Sequence, residues 1–464
     1  MLRILQQYYP IRNVAFMIGE GLVIYCSVLF SNWLLADNPI SMNILLSRKA
    51  VLITVVCLAC LYYNDLYDLK VIDHFSELVI RLLQSLGVSS IILAAIYFSF
   101  PGVIISRWAY ISGVILSILL IFVWRLSYSY VLDKGFFNQK IAIMGSSDLA
   151  GNIYREISDK KDCGYEISLV ISEATEKQWP ILKKTTPVIY LHNNDTFLEA
   201  ISKLNIDKII VALKEKRNNF PLKALLDCRV RGTDVVDGNS FYETLTGKLS
   251  VEQINPGWLI FSDGFRHSQL KRYLKRLFDL IIASVMIVIL LPLIIFIAII
   301  IKLESRGPVL FSQERIGEKR KPYPVYKFRS MVEDAEKLSG PKWAEDDDPR
   351  VTRVGKFIRK WRLDELPQLW NVLKGDMSFV GPRPERAYFI EKLEKEIPYY
   401  GKRFTVKPGL TGWAQVSYGY GATIEDAIEK LNYELFYIKN MSILMDIVIV
   451  FRTVKTVLFG KGAR

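Results

Sequence analysis

Four apolar runs, near residues 14–36, 46–63, 79–100 and 103–124, take up the first quarter of the chain. Read generously, each reaches about 20 residues, which as a helix matches the roughly 30 Å hydrocarbon core of a bilayer. Their length and near-continuous apolar composition predict a four-helix transmembrane domain over residues 1–135. No cleavable signal peptide is expected, because no small-residue cleavage site follows the first run and more spans come after it. Arg3, Arg12, Lys70, Arg81, Arg125, Lys134 and Lys140 flank the runs on one side, against Arg48, Lys49 and Arg107 on the other. That excess predicts a cytoplasmic N-terminus, and four spans return the chain to the same side.

Residues 138–262 change character. Short apolar strand candidates (Lys140–Met144, Ile167–Ile171, Val188–Leu191, Lys208–Leu213 and Asp234–Val236) alternate with helical or mixed segments. This alternation predicts a Rossmann-like α/β domain with a parallel sheet. The turn Gly145-Ser-Ser-Asp-Leu-Ala-Gly151 has Ser147 where a dinucleotide fingerprint has its second glycine, the one that lets backbone approach a pyrophosphate. A structural or regulatory role is the main reading there, with nucleotide binding as the alternative.

A fifth apolar stretch, Leu277–Leu303, opens the last domain, residues 267–464, and has Pro292 near its middle. Lys271, Arg272, Lys275 and Arg276 precede it, and Lys302, Arg306, Arg315, Lys319, Arg320 and Lys321 follow. Cations on both flanks predict that both ends stay on the cytoplasmic side. A mid-helix proline removes a backbone donor and bends the helix. The expectation is a re-entrant helix-break-helix that dips into one leaflet, with a spanning helix kinked at Pro292 as the alternative. Met441–Phe459 is apolar but carries Asp446, Arg452 and Lys455, so it suits a helix lying on the membrane or packing on the last domain better than a span. The fold class is thus a membrane protein, α plus α/β, ending in a mainly helical monotopic domain.

Charge is uneven. From residue 267 onward there are 34 lysines and arginines against 23 acidic residues, most of the chain's net +13. Such an excess suits anionic headgroups or phosphates. Nucleic acid is the weaker partner, because the basic region is tied to apolar segments. Cys57 and Cys60 have C-x-x-C spacing, but no second pair exists and their surroundings are lipid-like. The three histidines, His74, His192 and His267, lie far apart, which leaves zinc hydrolysis and Ser-His chemistry little to stand on.

Within the basic domain the run Arg362-Leu363-Asp364-Glu365-Leu366-Pro367 holds two adjacent carboxylates. Pro367 is tolerated in a helix's first turn, so the dyad is predicted at the N-terminus of a helix ending at Lys374, with Gly375 as its stop. Helix N-termini favour phosphate, and Mg2+ commonly bridges one or two carboxylates to substrate phosphates. One carboxylate as nucleophile and the other as metal ligand is a workable division. An ordinary N-cap at Asp364 with Glu365 in the first turn is the competing reading. Cations cluster around the dyad: Lys327-Phe-Arg329-Ser-Met331, Asp348-Pro-Arg350-Val-Thr-Arg353, and Gly381-Pro-Arg383-Pro-Glu385, where two prolines flank a guanidinium suited to phosphate.

With these segments in order, and with V-G-P-R-P at 380–384 and K-P-G-L-T-G-W-A-Q-V at 407–416, the region from about 271 to 460 resembles the bacterial polyprenyl-phosphate sugar-1-phosphate transferases. The upstream layout is similar to the large members that prime exopolysaccharide or O-antigen assembly. The resemblance implies that Asp364 attacks the sugar-linked phosphate of a UDP-sugar and expels UMP, leaving a covalent phosphosugar. Glu365 would bind Mg2+, and Arg383, Arg329 and Arg350 would hold phosphates. Polyprenyl phosphate, expected to be undecaprenyl phosphate, would then take the sugar-1-phosphate. It also implies a proline break at Pro292, inner-leaflet lipids as partners, a homodimer, and residence in the bacterial inner (cytoplasmic) membrane. Two other classes compete with this reading: a non-catalytic membrane scaffold or nucleotide sensor, and a phospholipid or polyprenol phosphatase releasing inorganic phosphate.

Overall fold

A computed structural model describes residues 2–4, 7–9, 11–35, 44–67, 75–101, 106–133, 135, 138–160, 163–172, 187–190, 194–213, 221–254, 257, 260, 262, 264–265, 268–332, 348–419, 421 and 423–458. The three histidines lie outside them. The chain divides into two compact units, Tyr8–Asp237 and Gly238–Arg464, with a few N-terminal residues shared between them.

The first unit opens with α1 (Ile11–Leu34), α2 (Ile44–Tyr63), α3 (Phe75–Ser99) and α4 (Arg107–Asp133). Segments of α1, α3 and α4 are long and apolar enough to cross a membrane, and α2 is a helix of 20 residues. Ile24, Ile53, Leu61, Leu86, Leu93 and Ile121 form their common core. Ile18, Leu22, Val55, Ile91, Ile115 and Leu119 face outward, as lipid contact requires. Buried hydroxyls bond to carbonyls of their own helices, as Ser27 does to Val23 (2.7 Å) and Thr54 to Ala50 (2.8 Å), which spares those two groups an unpaired place among apolar side chains. Arg125, counted above among the cationic flanks, is instead buried in an ion pair with Glu20 at 2.6 Å and donates to the Leu66 carbonyl at 2.9 Å.

Five parallel strands follow: β1 (Gln139–Met144), β2 (Tyr165–Ser172), β3 (Val188–Tyr190), β4 (Lys208–Val211) and β5 (Asp234–Asp237). Their order is β3-β2-β1-β4-β5, with α5 (Asp148–Asp159), α6 (Asn194–Lys203) and α7 (Leu222–Val230) as the connecting helices. Ile141–Met144 and Leu169–Ile171 are fully buried, which explains why these strands read as continuous apolar runs rather than alternating ones.

The second unit begins with α8 (Gly238–Thr246), earlier than the sequence boundary at 262. Glu243 on α8 accepts from Lys439 (2.6 Å) and Asn440 (2.9 Å), the Trp413 indole donates to the Gly247 carbonyl (2.8 Å), and Val251 N–H donates to Asn432 (2.8 Å). These buried partners make residues 238–254 part of the last domain.

The helix α9 (Gln269–Glu304) is 36 residues long and continuous, with Pro292 inside it. The proline therefore removes one hydrogen bond without dividing the element in two, which departs from the expected helix-break-helix. Near its start, Arg276 donates to the carbonyls of Val372 (2.6 Å) and Leu373 (2.8 Å), and Asp279 accepts from Ser378 Oγ (2.8 Å) and Phe379 N–H (3.1 Å). Near its end, Ile297 and Ile301 pack on Phe328 and Ile358, and Glu304 accepts from Val354 N–H (3.0 Å). Between these anchors Val285, Val288, Ile289, Ile295, Phe296 and Ile299 are exposed.

The remaining elements are an antiparallel pair β6 (Leu310–Ile316) and β7 (Pro322–Phe328), α10 (Arg353–Lys360), α11 (Gln368–Lys374), β8 (Ser378–Val380), α12 (Ala387–Glu396), β9 (Gly409–Thr411), α13 (Trp413–Ser417), α14 (Ile424–Asn440) and α15 (Ile443–Leu458). On α15, Met445, Asp446 and Ile449 are buried, with Asp446 paired to Lys275 at 2.7 Å, so this helix packs on its own domain.

Candidate active site

Asp364 and Glu365 occupy a 3-10 turn, Leu363–Glu365, that ends before α11 begins. Arg362, ahead of the turn, is left-handed (φ 52°), and this reverses the chain between α10 and the dyad. Leu363 and Leu366 pack into the apolar cluster of Ile297, Ile301, Phe328 and Ile358, so the intervening carboxylates are held by the core beneath them. Pro367 flanks α11 and Gly375 (φ 100°) ends it, as the sequence indicated, but the dyad sits one turn earlier than expected.

Two cations meet one oxygen of Glu365: Lys327 Nζ at 3.1 Å and Arg383 Nη2 at 2.8 Å, both on Oε1. Each arrives by a separate device. Lys327 lies on β7, which is pinned to α11 by the fully buried Asn371. Its amide donates to Pro324 O (2.7 Å) and accepts from Tyr326 N–H (3.1 Å). Arg383 extends from β8, whose parallel pairing with β9 brings two glycine-containing turns together. Gly381 N–H donates to Thr411 O and Gly409 N–H to Pro382 O, each at 2.8 Å. A Cβ on Gly409 would lie 2.0 Å from Gly381 N, so only glycine allows this approach.

The two carboxylates have been driven apart electrostatically. Burial pushes Asp364 above the usual carboxylate range, offset in part by Lys327 and reinforced by Glu365. Burial acts on Glu365 in the same direction, but Arg383, Lys327 and Arg362 together outweigh it and hold that carboxyl well below its usual value. Among the described residues, no group hydrogen-bonds the Asp364 carboxylate. Environments that separate two neighbouring carboxyls in this way assign them different tasks.

The other arginines singled out from sequence are engaged elsewhere. Arg329 is buried and donates to Arg306 O (2.7 Å), Ser305 O (2.8 Å) and Ser305 Oγ (2.8 Å), satisfying the chain end beyond α9. Arg350 grips Asp348 with Nε at 2.8 Å and Nη2 at 2.6 Å, which lowers the Asp348 carboxyl to about 2. Of the three, then, only Arg383 is brought onto the dyad. Lys327, Arg359 and Arg362 are the site cations that sequence reasoning did not assign. Arg359 reaches Ser330 Oγ at 2.8 Å and its charge bears on Asp364. Only its proximity to the dyad, five residues away, could have signalled it.

Among the described residues no cation donates a hydrogen bond to Oε2 of Glu365, which leaves one carboxylate oxygen that could take a magnesium ion held jointly with substrate phosphates. Among the described residues no group of three or more His, Cys, Asp or Glu forms a ready-made metal cage.

Residues 270–460 match the bacterial sugar transferase family, and residues 62–231 match a family described as a CoA-binding domain. In the turn after β1, a Cβ at Gly145 would lie 2.3 Å from Ala212 O, and Ser147 donates to Ala212 O (2.6 Å) while accepting from the Ala150 N–H (3.2 Å), so it caps α5. Among characterised proteins, an N-acetylgalactosaminephosphotransferase of Aeromonas hydrophila acting on undecaprenyl phosphate is 44% identical over 52% of this chain and 56% of its own length. An undecaprenyl-phosphate glucose phosphotransferase of Komagataeibacter xylinus is 43% identical over 41% of this chain and 36% of its own. The match thus spans only about half or less of these two relatives. An undecaprenyl-phosphate galactose phosphotransferase of Salmonella typhimurium is 30% identical over 77% of this chain and 76% of its own length. A relative covered to that extent, on top of the motif-bearing last domain, places the chain in the bacterial polyprenyl-phosphate sugar-1-phosphate transferase family.

Proposed function

We propose that this protein transfers a sugar-1-phosphate from a UDP-sugar to undecaprenyl phosphate, releasing UMP. The observation that carries the reading is the unequal dyad. Glu365 is held ionised by Lys327 and Arg383, while Asp364 beside it is buried, more basic than an ordinary carboxyl and, among the described residues, not hydrogen-bonded. A carboxylate that no donor stabilises is the better nucleophile. An Asp364 oxygen forms a bond to the sugar-bearing phosphorus as the bond from that phosphorus to UMP breaks. The acceptor phosphate then attacks the same phosphorus and returns the Asp364 carboxylate. Arg383, Lys327, Arg359 and Arg362 neutralise charge on the transferred group, which is where catalysis of phosphoryl transfer chiefly lies. Magnesium held at Glu365 would supply further neutralisation of the diphosphate. Arg329 and Arg350 hold the walls of the site rather than the substrate.

The same reading puts the site at the cytoplasmic face of the inner membrane, with α9 entering and leaving one leaflet. It is supported by the anchoring of both ends of α9 in one polar domain, through Arg276 and Asp279 at the start and Glu304 at the end. A helix crossing the bilayer would put those ends on opposite sides. Cysteines placed at Ser268 and Gly307 should be modified by a membrane-impermeant reagent from the same face, and labelling from opposite faces restores the spanning alternative.

The activity is tested by measuring UMP release over a panel of UDP-sugars, with and without undecaprenyl phosphate and Mg2+. Release of inorganic phosphate would indicate a phosphatase, and no turnover of any donor a scaffold. Asp364→Asn should abolish the covalent adduct and turnover. Full activity in a folded Asp364→Asn protein removes the nucleophile assignment.

A further inference from the structure

The backbone that carries Arg383 is held at four successive carbonyls. Pro382 O accepts from Gly409 N–H (2.8 Å), Arg383 O from Arg403 Nη2 (2.7 Å), Pro384 O from Arg315 Nη1 (3.4 Å) and Glu385 O from Ile316 N–H (3.0 Å). One of these donors is unusual. Arg403 is buried, and the same Nη2 also bonds Glu434 Oε1 at 2.8 Å. Its other terminal nitrogen bonds the Tyr400 hydroxyl, and the guanidinium lies over the rings of Tyr400 (5.0 Å) and Phe404 (5.9 Å). Glu434 is itself buried on α14. A charge taken this far from water is tolerated only where its partners are fixed.

Burying an ion pair is poor evidence of a stabilising role, since apolar residues of similar volume commonly do as well. The Arg403–Glu434 pair therefore has no evident purpose in packing alone. What an apolar pair could not do is donate to the Arg383 carbonyl. We propose that Arg403, oriented by Glu434, is a positioning residue for the transfer reaction, holding the backbone of Arg383 so that its guanidinium stays on Glu365. It touches neither carboxylate of the dyad. The inference rests on the phosphotransferase reading, because it assigns Arg403 a task only in that reaction.

The test uses the full chain in lipid nanodiscs, with undecaprenyl phosphate and whichever UDP-sugar the wild type turns over. Arg383→Met, Arg403→Met and the double variant are compared by kcat and by KM for the UDP-sugar. If Arg403 acts through Arg383, Arg403→Met lowers kcat about 30-fold or more, and the double variant is within about two-fold of Arg383→Met alone, because residues that act as one unit are strongly non-additive. Arg403→Lys keeps the charge opposite Glu434 but loses the fork that reaches both Glu434 and the Arg383 carbonyl. It should fold with a wild-type melting profile and show the same kcat loss, which keeps the test open should Arg403→Met fail to accumulate. Losses that multiply in the double variant, or Arg403→Lys activity within about two-fold of wild type, overturn the proposal. Absence of turnover by the wild type with every UDP-sugar instead removes the reaction on which it rests.

Discussion

Replacing Glu243 with leucine isolates the contact that makes residues 238–254 part of the catalytic domain. Glu243 and Lys439 have side chains only 8% and 9% exposed, with 2.6 Å between charged atoms, and Asn440 shares the carboxylate at 2.9 Å. Removing one member of such a buried pair costs about 3–5 kcal/mol, and Asn440, left with its bond to the Phe436 carbonyl (3.1 Å) but one N–H without the carboxylate, adds about 1 kcal/mol. Against a typical stability of about 5–15 kcal/mol, Glu243→Leu should remove roughly a third or more of the margin of the domain. Glu243→Leu with Lys439→Leu removes both charges at similar volume and should fall within about 1–2 kcal/mol of wild type. Pulse proteolysis in increasing urea, following the fragment that contains the last domain, reads this without assuming that the whole chain unfolds in one step. If the single variant is as stable as the double, Lys439 reaches water and the account of this anchor is wrong. The same argument predicts that a chain beginning at Ser268 is less stable than one beginning at Gly238, since it leaves Lys439, Asn440, Asn432 and the Trp413 indole without the partners that α8 and the segment after it provide.

Gly412→Ala would put a methyl 2.2 Å from the Gly381 carbonyl, so the β8–β9 contact must open, costing about 1–3 kcal/mol. UMP release should fall although no charged group is removed, and a thermal melt separates misplacement of Arg383 from loss of folding. Arg276→Gln gives up the forked donation to Val372 and Leu373, about 2–3 kcal/mol, and should lower the melting temperature of the domain with little change in KM for the UDP-sugar. Asp348 titrates at about 2 in the folded protein, against about 3.9 when unfolded, because Arg350 bonds its ionised form. After allowance for solvent screening that contact is worth about 1 kcal/mol, present above pH ~4 and lost as pH falls toward ~2. The stability difference between wild type and Arg350→Gln should therefore be constant near neutrality and vanish across that acid window. A difference that persists below it assigns the effect to packing.

The elements legible in the sequence are those whose signal is local. The central strands of the α/β domain were readable because a buried parallel strand is a short apolar run bounded by turn residues, as Ile141–Met144 and Ile209–Val211 are, whereas the edge strands Val188–Tyr190 and Asp234–Asp237, largely unburied, were readable from their β-branched residues. The membrane helices were readable from length and composition, and the dyad from its setting of prolines and glycines. The domain boundary was not, because the contact that decides it joins Glu243 to Lys439 across 196 residues. Nor could the proline at 292 be resolved, since the same residue can bend a helix or end it, and the outcome depends on what surrounds the helix.

The cations show the same limit at the scale of a single site. Arg329, Arg350 and Arg383 look alike in sequence, each a guanidinium beside a motif. Arg329 faces the carbonyls of Ser305 and Arg306 just past the end of α9, acceptors that the finished helix leaves without an internal partner. Arg350 has an aspartate two residues away and closes on it. The carbonyls beside Arg383 are taken by other donors, Pro382 O by Gly409 N–H and Pro384 O by Arg315, its own carbonyl is held by Arg403, and its side chain is left 42% exposed beside Glu365. A cation is left for the dyad when the fold has satisfied every nearer acceptor by other means. Finding such a residue therefore requires knowing where the remaining donors go, and that is a property of the packed domain.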